Sequence, residues 1–299
     1  MFFVGDLAPI WEGMTHQLRR ELGSAESLSV FRAQVQAQVG SEQRIVREWI
    51  EETPGYVKYT RHSLYASSAL PIITTWTLDD EGALAGFSIR PQQNAAESEY
   101  LAYETKATLH LPFSGEWKVV WGGREVDDNY HAVAKDQRFA YDLLITKDGR
   151  SHAGDGTRNE DYFCWGQPVL APAPGEVVSV VTDLPDNNPG HTDGRNPPGN
   201  HIVLDLGNAE FAVMAHFKRH SVAVQSGSTI ESGDVIGLCG NSGNSTEPHL
   251  HFHVQDSPEF GAGNGKPAQF VDYLSNELPV ARGEPRRGES IQRQSPDGE

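Results

Sequence analysis

The sequence predicts an α+β fold in two parts, a small N-terminal α+β domain followed by a β-rich antiparallel domain. Three observations predict it. Apolar residues recur at three-and-four spacing through the first stretch of chain, β-branched and aromatic runs between turn residues take over from Tyr56, and the polar stretch Pro91 to Glu99 separates the early strands from the later ones. A chain of 299 residues accommodates two such domains, and 37% hydrophobic residues give each a core.

Leu7, Ile10, Trp11, Met14 and Leu18 line one face of a 3.6-residue helix, and Leu28, Phe31, Val35 and Val39 repeat the pattern. Ile45, Val46, Trp49 and Ile50 predict a third helix over Glu42 to Glu51, stopped by Pro54-Gly55. Tyr56 to Tyr65 and Ile72 to Leu78 then read as strands. Asp79-Asp80-Glu81-Gly82 before Ala83 to Ile89 is a hairpin signal. Further on, Trp117 to Trp121, Tyr141 to Thr146, Gly175 to Thr182, His201 to Leu206 and Glu210 to His216 are short strand-like segments between Gly, Pro, Asn and Asp clusters. Two long polar loops, Asp148 to Asp161 and Asp183 to Asn200, exceed what simple connections need, as loops bordering binding sites do. The expected division is a domain at 1–95, a linker at 96–104, a second domain at 105–285 and a loosely held tail at 286–299.

Charge and cysteine content exclude several functions. Twenty-four Lys and Arg against 41 Asp and Glu leave a net charge of −17, which repels phosphate backbones and anionic lipid, and no local basic patch offsets it. Nucleic acid is therefore not an expected partner. The two cysteines, Cys164 and Cys239, form no C-x-x-C pair, so a disulfide-dense scaffold and a cysteine zinc knuckle are both excluded. No run approaches the ~20 apolar residues of a membrane span. Met1-Phe2-Phe3-Val4 is cut off by Asp6, too soon for a signal-peptide core, so the chain is expected either to stay inside or to have lost its export signal.

The most informative residues are His249-Leu250-His251-Phe252-His253. In an extended strand the three imidazoles share one face while Leu250 and Phe252 pack on the other. A lone histidine on a strand is more often a polar edge residue, but three in alternation on a rigid strand point to a metal. A catalytic zinc takes three protein ligands and keeps a fourth position open, so further ligands must come from elsewhere. His131 and Asp142 each lie beside a predicted strand and supply suitable donors. His216, at the end of another strand, fits a structural histidine equally well.

The blocks Gly199 to Asp205, Ala215-His216-Phe217, Gly233 to Gly237, Gly240 to Ser245 and Pro248 to Phe252, in that order, resemble the core of the lysostaphin-type zinc endopeptidases, the M23 or LytM family. Gly166 to Pro172 and Gly175 to Val178 resemble its first core strands. The resemblance runs from about Leu111 to Ser257 and implies an antiparallel β fold, a Zn2+ cofactor and hydrolysis of peptide cross-links in bacterial peptidoglycan. It maps the metal ligands onto His131, Asp142 and His251, and the two histidines flanking the reacting water onto His216 and His249. It also implies an extracytoplasmic location, in the periplasm, the cell envelope or outside the cell. The N-terminal part, chiefly Thr77 to Phe87 and the helices before it, resembles small NTF2-like α+β domains.

This chain departs from the family pattern in places. His131 and Asp142 stand eleven residues apart, farther than the first two ligands usually do, so Ala132 to Ala140 must loop out between them. His110 and His152 are alternatives to His131. Glu247 stands where glycine is usual, and the extra His253 is expected behind the ligands or at the surface. There is no His-Glu-x-x-His, and Gly240-Asn241-Ser242-Gly243 lacks the second glycine of a nucleophile elbow. Gly261 to Lys266 fits neither nucleotide fingerprint. The alternative function is a noncatalytic LytM-like module that binds or regulates a cell-wall hydrolase; a structural metal closed by His253 or His216 is a third reading.

Overall fold

The computed structural model describes residues 5–294 of the chain. The chain divides between Gln93 and Asn94 into two compact units. In the first unit the initial apolar run divides into α1 (Ala8–Glu12) and α2 (His16–Leu22), because Gly13 and Thr15 leave the helix to bond Leu84 of the sheet. The Thr15 hydroxyl accepts from the Leu18 amide and so caps α2. Ser24 caps α3 (Ala25–Val39) in the same way. Four strands follow as an antiparallel meander: β1 (Glu42–Thr53), β2 (Tyr56–Tyr65), β3 (Ile72–Asp79) and β4 (Leu84–Pro91). Leu7, Met14, Leu18, Leu28 and Leu84 form the core between helices and sheet.

The helix expected over Glu42 to Glu51 is instead β1. Its apolar residues have no core to face: Ile45, Val46 and Ile50 are 43%, 48% and 62% exposed. Ladder pairing with β2, from Thr53 opposite Tyr56 to Glu42 opposite Tyr65, decides its conformation. Two register shifts, between Glu42 and Arg44 and between Ile45 and Arg47, break the strand's alternation. That is why the apolar spacing imitates a helix.

The second unit is built on an antiparallel sheet. Its strands run in the order β11 (Thr229–Ile230), β8 (Gly175–Val181), β9 (Asn200–Asp205), β10 (Phe211–Phe217), β13 (Leu250–Gln255), β6 (Tyr141–Leu144), β5 (Trp117–Trp121), β17 (Ser290–Arg293), β15 (Phe270–Ser275) and β16 (Leu278–Gly283). β14 (Gly265–Lys266) pairs with β13, while β7 (Pro168–Leu170) and β12 (Val235–Leu238) form a separate pair. Trp117, Tyr141, Leu143, Met214, Leu250 and Phe252 are among the residues of the core. The segment expected as linker lies on this unit, with Tyr100 and Tyr103 hydroxyls donating to Asp256 and Glu210, each at 2.9 Å. Much of the expected tail is also structured. Ser290–Arg293 is an internal strand because Ile291 is fully buried between β5 and β15; residues 295–299 lie outside the described residues. Among those described, no helix is long and apolar enough to cross a membrane.

Candidate metal site and cleft

The site forms where β13 runs between β6 and β10. Register sets His251 opposite Asp142 on one side and opposite Ala215 on the other. Neighbouring strands thereby bring imidazole and carboxylate together, and His251 Nδ1 lies 2.9 Å from Asp142 Oδ1. Leu250 and Phe252 face the core, as the alternation requires.

His131 arrives on a single 3-10 turn, Tyr130–Val133. Asn129 makes this possible. Its Oδ1 accepts from the His131 amide at 3.2 Å, and its Nδ2 donates to the carbonyls of Gly123 and Ala140, both at 2.9 Å. The bond to Ala140 closes the mouth of the 132–140 loop, leaving His131 Nε2 3.0 Å from Asp142 Oδ2. His131, Asp142 and His251 are all buried, and one donor atom from each lies within 4.8 Å of the others. They are the three residues that such proximity gathers among those described, and two imidazoles with one carboxylate suit zinc. His110 and His152 stand outside this cluster; His152 faces the Tyr162 ring at 5.1 Å.

Two further imidazoles border the cluster. His249 precedes β13, and its Nδ1–H donates to the Glu247 carbonyl at 2.8 Å. Ser245 lies 3.1 Å from the same nitrogen and donates to Asn241 Oδ1 at 2.7 Å, because the Asn241 amide nitrogen is itself a donor to Asn159 Oδ1. With Nδ1 protonated, His249 Nε2 carries the lone pair, 3.6 Å from Asp142 Oδ1. His216 sits at an irregularity of β10 with φ +67°, where its backbone N–H donates a hydrogen bond to the Pro198 carbonyl at 3.1 Å. Its Nδ1–H donates to the Ser242 carbonyl at 2.8 Å. The His216 ring centroid is 4.7 Å from that of His249 and 5.8 Å from that of His251. A cleft of about 210 Å³ opens here, lined by Tyr130, His131, His216, His251, Pro198 and Phe260 among others.

Charge balance follows from burial. Burial pushes His216 well below the ordinary imidazole range, and the nearby His249 and His251 add to that. Burial also lowers His251. For Asp142, burial acts upward, but the surrounding His131 and His249 outweigh it and hold the carboxyl well below its usual range.

Several residues of the site went unnoticed in the sequence. Tyr130 donates its hydroxyl to Asp142 Oδ2 at 3.3 Å and lies against His131, with ring centroids 3.9 Å apart and the planes tilted by 34°. Asn129, Asn241, Ser245 and Gln255 act through hydrogen bonds that only the fold creates; the one sequence hint was Asn129-Tyr130 directly before His131. His253 is not a surface residue: it is 1% exposed, behind His251. Glu247 accepts from the Ser151 hydroxyl at 2.7 Å, tying the first long loop to the approach to His249. The second long loop is pinned to the 241–246 segment, for example by Asn187 Nδ2 donating to the carbonyls of Gly243 and Ser245. Cys164 and Cys239 are both buried free thiols, and Cys164 donates to the Pro248 carbonyl.

Residues 159–268 match the profile of peptidase family M23. The second unit carries an M23 peptidase domain. The match takes in His216, His249 and His251, whereas His131 and Asp142 lie upstream of it. An uncharacterized metalloprotease of Haemophilus influenzae is 34% identical over 91 residues, 30% of this chain and 16% of that protein. The peptidoglycan DD-endopeptidase ShyA of Vibrio cholerae is 29% identical over 124 residues, 41% of this chain and 23% of that protein. The chain thus spans less than a quarter of the length of either curated relative. Among solved structures, the catalytic domain of the M23 protein EnpA from Enterococcus faecalis is 17% identical with a TM-score of 0.34, covering 53% of this chain and 94% of that one. The catalytic domain of lysostaphin from Staphylococcus simulans is 20% identical with a TM-score of 0.30, covering 50% and 86%.

Proposed function

We propose that the M23 domain is a zinc-dependent endopeptidase that hydrolyses peptide cross-links of bacterial peptidoglycan. The observation that carries this reading is the convergence of His131 Nε2, an Asp142 oxygen and His251 Nδ1 beside two imidazoles whose Nδ1 atoms are occupied by carbonyls. Zinc held by His131, Asp142 and His251 would polarise the scissile carbonyl and make a water acidic enough to react near neutral pH. His249 and His216 would handle the proton at Nε2: one would take it from the attacking water with its free lone pair, and the other, when protonated at Nε2, would donate to the charge that develops on the carbonyl oxygen. Their Nδ1–H bonds to Glu247 and Ser242 keep that nitrogen free in the neutral ring. Pro198 and Phe260 would form walls of the peptide groove.

The curated relative that is a peptidoglycan DD-endopeptidase supports the substrate class, and such a substrate implies an extracytoplasmic place of action. We read the N-terminal unit as an NTF2-like module on its order of helices before an antiparallel meander. The direct test incubates the zinc-loaded protein with cross-linked muropeptides and follows product by mass. Hydrolysis that stops on chelation and returns with zinc is expected. A zinc-loaded protein that leaves every cross-linked peptide intact would refute the enzyme reading in favour of a binding module.

A further inference from the structure

His251, His253 and Gln255 follow one another along one face of β13, each 3% exposed or less. The far end of this row fixes its polarity. Gln255 Nε2 donates to the carbonyls of Ser257 at 2.7 Å and Glu259 at 2.9 Å, two acceptors that only the amide nitrogen satisfies. Its oxygen therefore faces His253 Nε2 at 3.1 Å, and that nitrogen must carry a proton. Neutral His253 then has a bare Nδ1, which accepts from His251 Nε2 at 2.9 Å. Neutral His251, donating from Nε2, is left with its lone pair on Nδ1, facing Asp142 Oδ1 at 2.9 Å. Two acceptors so close in a buried place call for a cation between them.

We propose that His253 and Gln255 are positioning residues that set the His251 tautomer for metal binding and couple this ligand to the wall of the substrate cleft. The coupling arises because the carbonyls that orient Gln255 belong to the turn carrying Phe260. That ring packs against His253 with centroids 5.9 Å apart and lines the cleft. Second partners of this kind orient a ligand imidazole and make it a better donor. The inference deepens the metal-site reading and rests on it, but its first test needs no metal.

That test is long-range proton–nitrogen NMR of the metal-free, full-length protein labelled with ¹⁵N-histidine. The expected result is a proton on Nε2 of both His251 and His253. A His251 whose Nε2 is bare, with its only proton on Nδ1, would overturn the proposal, even in a protein that binds zinc. Conversely, the expected tautomers in a protein that takes up no zinc would support the row and refute only the functional reading. His253→Leu, which can neither donate nor accept, should weaken zinc binding about 10- to 100-fold in competition with a chromophoric chelator. His253→Gln, whose amide can accept from His251 and donate to Gln255, should recover most of that loss. Equal zinc affinity in wild type and His253→Leu would also overturn the proposal.

Discussion

A histidine's usefulness at this site depends on which of its nitrogens is already committed. His216 and His249 each donate from Nδ1 to a backbone carbonyl, so each offers Nε2 to the cleft; His251 is bound from the other side and offers Nδ1. The distinction predicts separable losses. His249→Ala and His216→Ala should lower turnover of a cross-linked muropeptide about 10²-fold or more while zinc content stays at the wild-type level. Full activity in His249→Ala would contradict its role as proton carrier. Alternation on a strand is a strong pattern, and it made His249, His251 and His253 legible in the sequence, whereas His131, Asp142 and His216 took their roles from the resemblance. The sequence said nothing of nitrogen identity, which is fixed by carbonyls of Glu247 and Ser242 and by a glutamine amide whose own orientation depends on the turn after β13.

At the scale of the element, the departure that matters most is the loop between His131 and Asp142. Eleven residues would leave two ligands unrelated in space unless something closed the loop, and Asn129 does so through three hydrogen bonds made in a fully buried position. Asn129→Ala should therefore cost about 2–3 kcal/mol of stability in urea unfolding. It should also weaken zinc binding roughly tenfold, because a residue that holds a ligand in place is lost. Unchanged zinc affinity in a folded Asn129→Ala protein would show that the loop positions His131 without it. Strand β1 teaches the opposite lesson. Ile45, Val46, Trp49 and Ile50 have helical spacing, yet the ladder with β2 overrides it, and bulges that no periodicity could reveal account for the disguise.

Across the whole second unit, residues distant in sequence are locked together around the sheet. Arg124, just beyond β5, donates to both oxygens of Glu284, just beyond β16, at 2.9 and 2.7 Å, and Gln269 donates to one of them. Burial acts to raise the Glu284 pKa, but these bonds outweigh it and hold the carboxyl below its usual range. A depressed folded-state pKa adds stability above the unfolded value of about 4.3, and that stability is lost as pH falls through the lower folded value. Glu284→Gln should thus be less stable than wild type by about 1–2 kcal/mol at pH 7, with the gap closing below about pH 4. A gap that stays constant down to pH 3 would assign the effect to packing instead. The architecture itself was largely readable: turn residues bracket most strands from Trp117 onward, and the ordered blocks around Gly240 and His249 point to the M23 fold. The internal place of β17 was not, since a short polar segment gives no sign that Ile291 will be enclosed by strands from elsewhere. The central claim is that His131, Asp142 and His251 together hold one divalent ion. Zinc titration of the metal-stripped protein beside Asp142→Ala, read by calorimetry and elemental analysis, tests it most directly. One tightly bound zinc per wild-type chain and none in the variant is the predicted result; zinc bound equally well by both, or by neither, would contradict it.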